Sequence, residues 1–262
     1  MTRRLSMAIL IGILVIAGLA LALWLRRSAT PPSEALPPPC HDSVFEGVGY
    51  VTCEIDLRTY EITLARTDAN GKPYGTLKAF DTDMAARGTP VLLAMNAGMY
   101  HKDFSPVGLF VENGHETAPL NLSEGAGNFF MKPNGVFFID RAGCAVVMES
   151  TVYAQHQPEA ELATQSGPML VIGGQLHPRF EEDGASRYVR NGVGVRADGT
   201  VVLAISRTPV SFGSFARLFR DELACPDALF LDGAISALSN GRRLIVGGRF
   251  PVGPILAVRA RQ

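Results

Sequence analysis

Two apolar runs end by presenting a polar side chain ahead of small residues. LLAMNAG, residues 92–98, delivers Asn96, and ALFLDGA, residues 228–234, delivers Asp232. A carboxylate at the end of a buried strand is costly unless it is paired or used. A turn explains either motif alone, because Asn and Asp stabilise turns and a following glycine relaxes the backbone. Taken together, and with two further segments, they point to a site. TQSGPMLVIGGQLHP, residues 164–178, sets Gln165 and Ser166 before a strand and His177 after it. SRYVRNGVGV, residues 186–195, sets Arg187, Arg190 and Asn191 before a glycine-spaced strand. A single arginine is most often a solvated surface charge, but a guanidinium beside backbone amides can hold a phosphate or carboxylate.

Other chemistries find less support. The QSGP segment around Ser166 lacks the G-x-S-x-G elbow of a serine hydrolase. The five histidines, His41, His101, His115, His156 and His177, form no H-x-H or H-x-x-x-H pair, which argues against a catalytic zinc. The sequence requires no cofactor and assigns no metal ligands. Oxygen-ligated calcium or magnesium stays compatible with it.

The elements that must position these groups are largely strands. YVTCEIDL and EITLART read as neighbouring strands joined by a tight connection. PVGLFVENG, PNGVFFIDRAG and RNGVGVRADG each run glycine, β-prone stretch, polar turn and glycine, so each reads as one arm of a hairpin. Their unequal spacing argues against a repeat protein. TLKAFDTDMAARG reads as a helix, with Leu77, Phe80 and Met84 on one face and Gly88 at its end. SFARLFRDELAC reads as a second helix, striped by Phe215, Leu218, Phe219 and Leu223 and capped by Ser214. ALFLDGAISAL, LIVGG and ILAVRA supply later strands. The expected fold is α+β: a single domain over 40–262 with a large mixed β-sheet and few helices.

The first residues are different. Arg3-Arg4 precede an apolar run from Leu5 to Leu25, closed by Arg26-Arg27. As a helix it would span about 30 Å, the depth of a bilayer core. Its length and the poor cleavage context Trp24-Leu25-Arg26-Arg27 favour an uncleaved signal anchor over residues 1–28. The alternative is a cleaved signal peptide and a secreted protein. The amino-terminal amine tips the charge balance toward a cytoplasmic N-terminus, with the body on the extracytoplasmic face, periplasmic in a Gram-negative cell. Residues 29–39, ATPPSEALPPP, form a stiff Pro-rich linker. The chain has a net charge of −1, and the four arginines before residue 30 leave a mildly acidic body. Such a body argues against nucleic-acid partners. Cys40, Cys53, Cys144 and Cys225 have no zinc-like spacing and allow three complete pairings. Cys40 with Cys53 is preferred, because it clips the linker to the first strand; free buried thiols are the alternative.

Several of these motifs, in order, resemble one family. MNAGMY, SPVGLFVENG, GNFFMKPNGVF, TQSGPMLV, LHPRF, RNGVGV and ALFLDGAIS together are similar to the bacterial branch of the phosphodiester glycosidase domain family, over most of residues 48–258. The same domain occurs in the mammalian enzyme that uncovers mannose 6-phosphate by removing N-acetylglucosamine. The resemblance implies a hydrolase that splits a sugar from a phosphodiester. It places the family's strand-end asparagine on Asn96, followed by Ala97-Gly98 where many members have two glycines. Its arginine-bearing segment falls on Arg190 to Gly194, and its aspartate-glycine turn on Asp232-Gly233. This chain reads DGAIS where mammalian-like members read DGGGS, so Ser236 matches approximately, and Asn191 stands where threonine is common.

The implied chemistry suits the residues. A phosphate monoester is already a good leaving anion, so an arginine on the phosphate replaces much of the second carboxyl of ordinary glycosidases. Asp232 and Arg190 are the catalytic candidates: the carboxylate activates water or steadies the oxocarbenium-like centre, and the cation takes the phosphate. Asn96, Gly98, Ser166, His177, Asn191, Gly233 and Ser236 are the substrate-binding candidates, with Asn96 orienting hydroxyls or an acetamido group. The expected partners are a glycan or sugar-phosphodiester substrate in the cell envelope, and the membrane through the N-terminal helix. A non-catalytic module binding envelope glycan is the alternative on the same fold, and a purely structural envelope protein is a third.

Overall fold

Val201–Ser206, VVLAIS, is buried at every position. A strand with no polar face must lie inside a sheet covered on both sides, and the rest of the fold supplies those covers. The computed structural model describes residues 36–261, which form one compact unit. The expected signal anchor, residues 1–28, and most of the Pro-rich linker lie outside the described residues. Among the described residues no helix is long and apolar enough to cross a membrane.

Among the described residues, seventeen strands make three sheets. The largest holds β1 (Cys40–Phe45), β2 (Val48–Ile55), β13 (Val201–Ser206), β12 (Asn191–Val195), β14 (Asp227–Phe230), β10 (Met169–Ile172) and β11 (Gln175–Leu176), in that order. The second orders β16 (Leu244–Val246), β15 (Leu238–Ser239), β4 (Leu93–Asn96), β17 (Ile255–Ala260) and β3 (Tyr60–Ala65). The third orders β6 (His115–Ala118), β5 (Phe110–Glu112), β9 (Ala160–Ser166), β7 (Gly135–Asp140) and β8 (Ala145–Glu149). A large sheet with few helices is as the sequence indicated, and the described neighbours pair antiparallel, as in β12 with β14 and β4 with β17.

The three sheets share one core. Val51 and Leu203 from the first, Met95 and Leu256 from the second, and Phe137 and Leu162 from the third pack in a single apolar cluster. Each sheet also carries a helix on its other face. Helix α1 (Leu77–Ala86) sets Leu77 and Phe80 against Ala94 and Ala257. Helix α2 (Ser150–His156) sets Tyr153 against Phe138. Helix α3 (Phe212–Arg217), continued by a π-helical turn over Leu218–Glu222, sets Phe215 and Phe219 against Val202 and Leu170.

Local chemistry explains the element ends. Thr76 Oγ1 accepts from Ala79 N–H and starts α1, and Gly88, at φ +73°, ends it with its N–H on Ala85 O. The three hairpins expected from the glycine-spaced segments form as β5–β6, β7–β8 and β12–β13. Two expectations are corrected. The YVTCEIDL and EITLART strands do not pair: β2 lies between β1 and β13, whereas β3 pairs with β17. The turn at Asp56–Thr59 carries the chain from one sheet into another, because each strand finds a longer antiparallel partner far along the sequence. The second helix starts earlier than read, at Ser211, whose Oγ accepts from Ser214 N–H at 3.1 Å. Ser214 turns instead to Glu46, at 3.0 Å.

Cys40 and Cys53 are cross-strand partners in β1–β2 and form a disulfide, the preferred pairing. Cys144 is a free exposed thiol and Cys225 a free buried one.

Candidate active site

The three sheets meet where β4 ends. Asn96 is its last residue, and Gly98 follows with its N–H on Thr164 Oγ1 of β9, 3.1 Å away. A Cβ at Gly98 would strike Gln165 O and Thr164 Oγ1, so glycine is required for that approach. From the large sheet come the start of β12 and the end of β14. Their ladder pairs Gly192 with Phe230, and Leu231 N–H bonds Asn191 O at 3.1 Å. Past the ladder the two segments part: Asp232 N–H bonds Ala97 O, while Arg190 exchanges bonds with Ser206 of β13.

Buried amides lock this junction. Asn96 Nδ2 donates to Asp232 O at 2.8 Å, and Asn96 Oδ1 accepts from Ala237 N–H at 2.9 Å. Asn191 Nδ2 donates to Asn96 O at 2.9 Å and to Asn96 Oδ1 at 3.1 Å. Ser236 Oγ donates to Asn191 Oδ1 at 3.1 Å. Asp232 N–H bonds Ala97 O at 3.3 Å, so its backbone is held on both sides. All three of these side chains are buried, and their hydrogen bonds run within the protein. Gly233 packs directly on the Phe230 ring, where a Cβ would collide.

Asp232 itself is only partly buried. Tyr100 stands near it: burial, and secondarily the Asp232 charge, push the Tyr100 phenol up to about 12. The phenol therefore stays protonated at neutral pH and donates to Pro251 O at 2.6 Å. Its ring covers Gly253, which has no room for a side chain.

Arg190 is 1% exposed. Its Nε donates to Val210 O at 3.0 Å and its Nη2 to Ser186 O at 2.8 Å. The guanidinium carbon lies 3.5 Å from the Phe212 ring centroid and 5.3 Å from that of Phe230. Burial brings its pKa down to about 10, which leaves it charged at neutral pH. No carboxylate pairs with it among the described residues. A buried cation held by carbonyls, the Ser186 hydroxyl and rings, with no carboxylate beside it, is a receptor for an anion.

His177 joins the same aromatic assembly. It stacks on Phe180 at 4.7 Å, and Phe180 stacks on Phe212 at 4.9 Å, so a stack runs from His177 through both rings to Arg190. His177 Nδ1 accepts from Arg179 N–H, while Nε2 is buried without a hydrogen-bond partner. Burial lowers its pKa, opposed in part by the Lys132 backbone. Ser166, at the end of β9 opposite Gly135, is fully buried and its hydroxyl likewise has no described partner.

The fold thus gathers Asn96, Gly98, Asn191, Asp232, Gly233 and Ser236 at one seam, with Arg190 beside them and His177 reached through the stack. Ser166 lies inside the protein rather than at the surface of that seam. Sequence reasoning gave no role to Tyr100, Phe180 or Phe212, nor to Gln165. The Gln165 amide is a buried hub, accepting from Leu109 and Asn121 N–H groups and donating to Asn121 O and Ser150 Oγ. Nothing local in the sequence signals that Phe180 and Phe212 meet. Among the described residues no group of three or more His, Cys, Asp or Glu side chains is arranged to hold a metal.

Fold and site together define a three-sheet antiparallel domain whose polar groups converge at strand ends. The chain belongs to the phosphodiester glycosidase family, whose model matches residues 89–249. It is 35% identical over 207 residues to the uncharacterized protein YigE of Escherichia coli strain K12, covering 79% of this chain and 80% of that one. Its fold is similar to the catalytic domain of zebrafish N-acetylglucosamine-1-phosphodiester alpha-N-acetylglucosaminidase auto-inhibited by its pro-peptide, with TM-score 0.58 and 14% identity, over 85% and 82% of the two chains. A putative exported protein from Burkholderia pseudomallei shares the fold at TM-score 0.54 and 13% identity, over 80% of this chain and 74% of that one.

Proposed function

We propose that the protein is a hydrolase that cleaves a sugar from a phosphodiester-linked glycoside, releasing a phosphate monoester. The observation that carries this reading is the amide lock that joins Asn96, Asn191 and the Asp232 backbone at one seam, with Arg190 the residue just before Asn191. A buried cation and a partly exposed carboxylate are then carried by segments that meet at this seam. In the reaction water adds to the anomeric carbon while the bond to the phosphate oxygen breaks. Asp232 accepts the proton from water, and the leaving phosphate carries its charge toward Arg190. The Asn96–Asn191–Ser236 lock keeps the Asp232 backbone fixed, so its carboxylate needs little reorganisation during the reaction.

The site of action in this reading is the extracytoplasmic face of the membrane, with residues 1–28 as anchor. The Cys40–Cys53 disulfide supports an oxidising compartment, and a structural relative carries the description of an exported protein.

The test is release of reducing sugar from a panel of sugar-1-phosphodiesters, including UDP-N-acetylglucosamine, by wild type and Asp232→Asn. The expected result is turnover that falls roughly a thousandfold in the variant. Equal turnover in both would remove Asp232 from the mechanism. Saturable glycan binding without any turnover would transfer the fold to the glycan-binding module.

A further inference from the structure

Residues 247–254, GGRFPVGP, join β16 to β17, and both ends of this loop rest on the seam that holds Asp232. At the near end Gly247, at φ +75°, presses on Ser236: a Cβ there would collide with the Ser236 carbonyl oxygen, so only glycine fits. Ser236 is the residue whose hydroxyl donates to Asn191 in the amide lock. At the far end Pro254 O accepts from Ala97 N–H at 2.8 Å, and Ala97 O accepts in turn from Asp232 N–H at 3.3 Å. One residue therefore stands between the loop and the Asp232 backbone. Just inside that end, Pro251 O takes the Tyr100 phenol at 2.6 Å, and Val252, buried, bonds Gly75 O through its N–H at 2.9 Å.

Between these anchors a short tip remains, Gly248, Arg249 and Phe250, all of it exposed. Phe250 is 58% exposed and joins no ring pair among the described residues. Arg249 joins no ion pair among them. A single exposed phenyl is ordinary surface. This one is pinned beside a site whose amides are committed to one another and whose cation, Arg190, is buried. Groups that touch a ligand at the surface of that seam come from an exposed segment next to it, and this tip is one.

The two side chains select a ligand together. The face of a phenyl ring is negative and the C–H bonds of a sugar ring are weakly positive, so a flat sugar face stacks on Phe250. A guanidinium offers paired N–H groups that match two phosphate oxygens. A neutral glycan leaves Arg249 unused, and inorganic phosphate leaves Phe250 unused. A sugar 1-phosphodiester, with sugar and phosphate adjoining, uses both.

We propose that Arg249 and Phe250 form the substrate-holding tip of the Asp232 site, Phe250 carrying the sugar face and Arg249 the phosphate. The choice of a sugar phosphodiester rests on the proposed hydrolase reading. Both residues set affinity and specificity, and the bond-breaking step stays with Asp232 and Arg190.

The experiment is calorimetric titration of the full chain carrying Asp232→Asn, so that ligand is not consumed, with the panel of sugar-1-phosphodiesters that includes UDP-N-acetylglucosamine. Adding Phe250→Ala or Arg249→Gln is expected to weaken binding about tenfold each. Phe250→Tyr should keep the affinity and Phe250→Leu should not, which separates stacking from simple apolar contact. Added salt should weaken binding less in Arg249→Gln than in its parent, because the screened charge is gone. Both side chains are exposed, so these variants keep their unfolding midpoints. Unchanged affinity in Phe250→Ala or Arg249→Gln, a Phe250→Leu variant that binds as well as Phe250→Tyr, or no binding of any panel member would each overturn the proposal. Turnover of the same compounds by the wild-type chain decides the hydrolase reading separately: binding that depends on the tip, without turnover, removes the enzyme and leaves the binding site.

Discussion

Asn191 Nδ2 reaches both oxygens of Asn96, the backbone one at 2.9 Å and the side-chain one at 3.1 Å. This contact ties the first strand of a hairpin in the large sheet to the last residue of a strand in another. Asn191→Leu keeps the number of side-chain heavy atoms but takes a donor from each Asn96 oxygen, leaving Oδ1 its bond from Ala237 N–H, and removes the acceptor of Ser236. Leaving buried polar groups unpaired costs about 1–3 kcal/mol each, so a loss of about 2–4 kcal/mol is expected in urea unfolding. Because the same contacts fix the Asp232 loop, kcat should fall more than KM rises. An unchanged unfolding midpoint would show that the lock does not hold the sheets together.

Arg190 behaves in the opposite way. A buried cation without a carboxylate is a burden on the folded state, so removing it relieves a desolvation penalty. Arg190→Met gives up bonds to the Val210 and Ser186 carbonyls but keeps packing on Phe212. Its stability should stay within about 2 kcal/mol of wild type, while turnover of a phosphodiester falls about a hundredfold or more. Arg190→Lys should not restore turnover, since ammonium lacks the planar fork that stacks on the ring. A variant that loses far more stability than this yet keeps its specific activity while folded would assign Arg190 to structure alone.

The contrast between these residues shows what the sequence reveals. Asn96 stands out because it ends an apolar run, Asn191 because it opens a glycine-spaced strand, and Asp232 because it ends a second apolar run, all of them local signals. That the first two bond one another is not local: they are 95 positions apart. Hairpins were legible for the same reason, since Asn113-Gly114 supplies the positive φ values that its turn needs. The partners of β2 and β3 were not, because Ile55 pairs with Val201 and Tyr60 with Ala260. The start of α3 was read late because Ser211 and Ser214 are both good caps, and only the bond between them distinguishes their roles.

His177 predicts a pH dependence. Burial lowers its folded pKa below the ordinary 6.5, so the neutral form is favoured in the native state. The unfolded chain then takes up the proton first as pH falls. The contribution is complete above about pH 6.5 and is lost between that value and the lower folded one. His177→Phe preserves stacking on Phe180 and abolishes this titration. Unfolding midpoints at about pH 7.5 and about pH 5.5 should differ more in wild type than in the variant. Carboxyl groups shifted in either direction, such as Glu46 and Glu112, act alike in both proteins and cancel in the comparison. Equal slopes would mean that His177 does not change its proton affinity on folding.

The four cysteines separate into three chemical states, which thiol chemistry can count. Cys40 and Cys53 are joined and do not react. Cys225 is 1% exposed, and burial pushes its pKa up to about 12, so it offers almost no thiolate at neutral pH. Cys144 is exposed in the β7–β8 turn. A small alkylating reagent should therefore label one thiol in the native protein, two after unfolding without reductant, and four after reduction and unfolding. Mass mapping should place the native label on Cys144. The disulfide closes a loop between residues 13 apart, for which loop-closure entropy gives about 3 kcal/mol. Cys40→Ser/Cys53→Ser should lower the unfolding free energy by about that amount. The loss should begin at β1, an edge strand otherwise held by its ladder to β2, by Ser43 on Thr52 and by Asp42 on Arg207. Faster amide exchange confined to β1 would locate it there. Rapid native labelling of Cys225 would instead show that the packing of α3 and its π-helical turn opens readily to solvent.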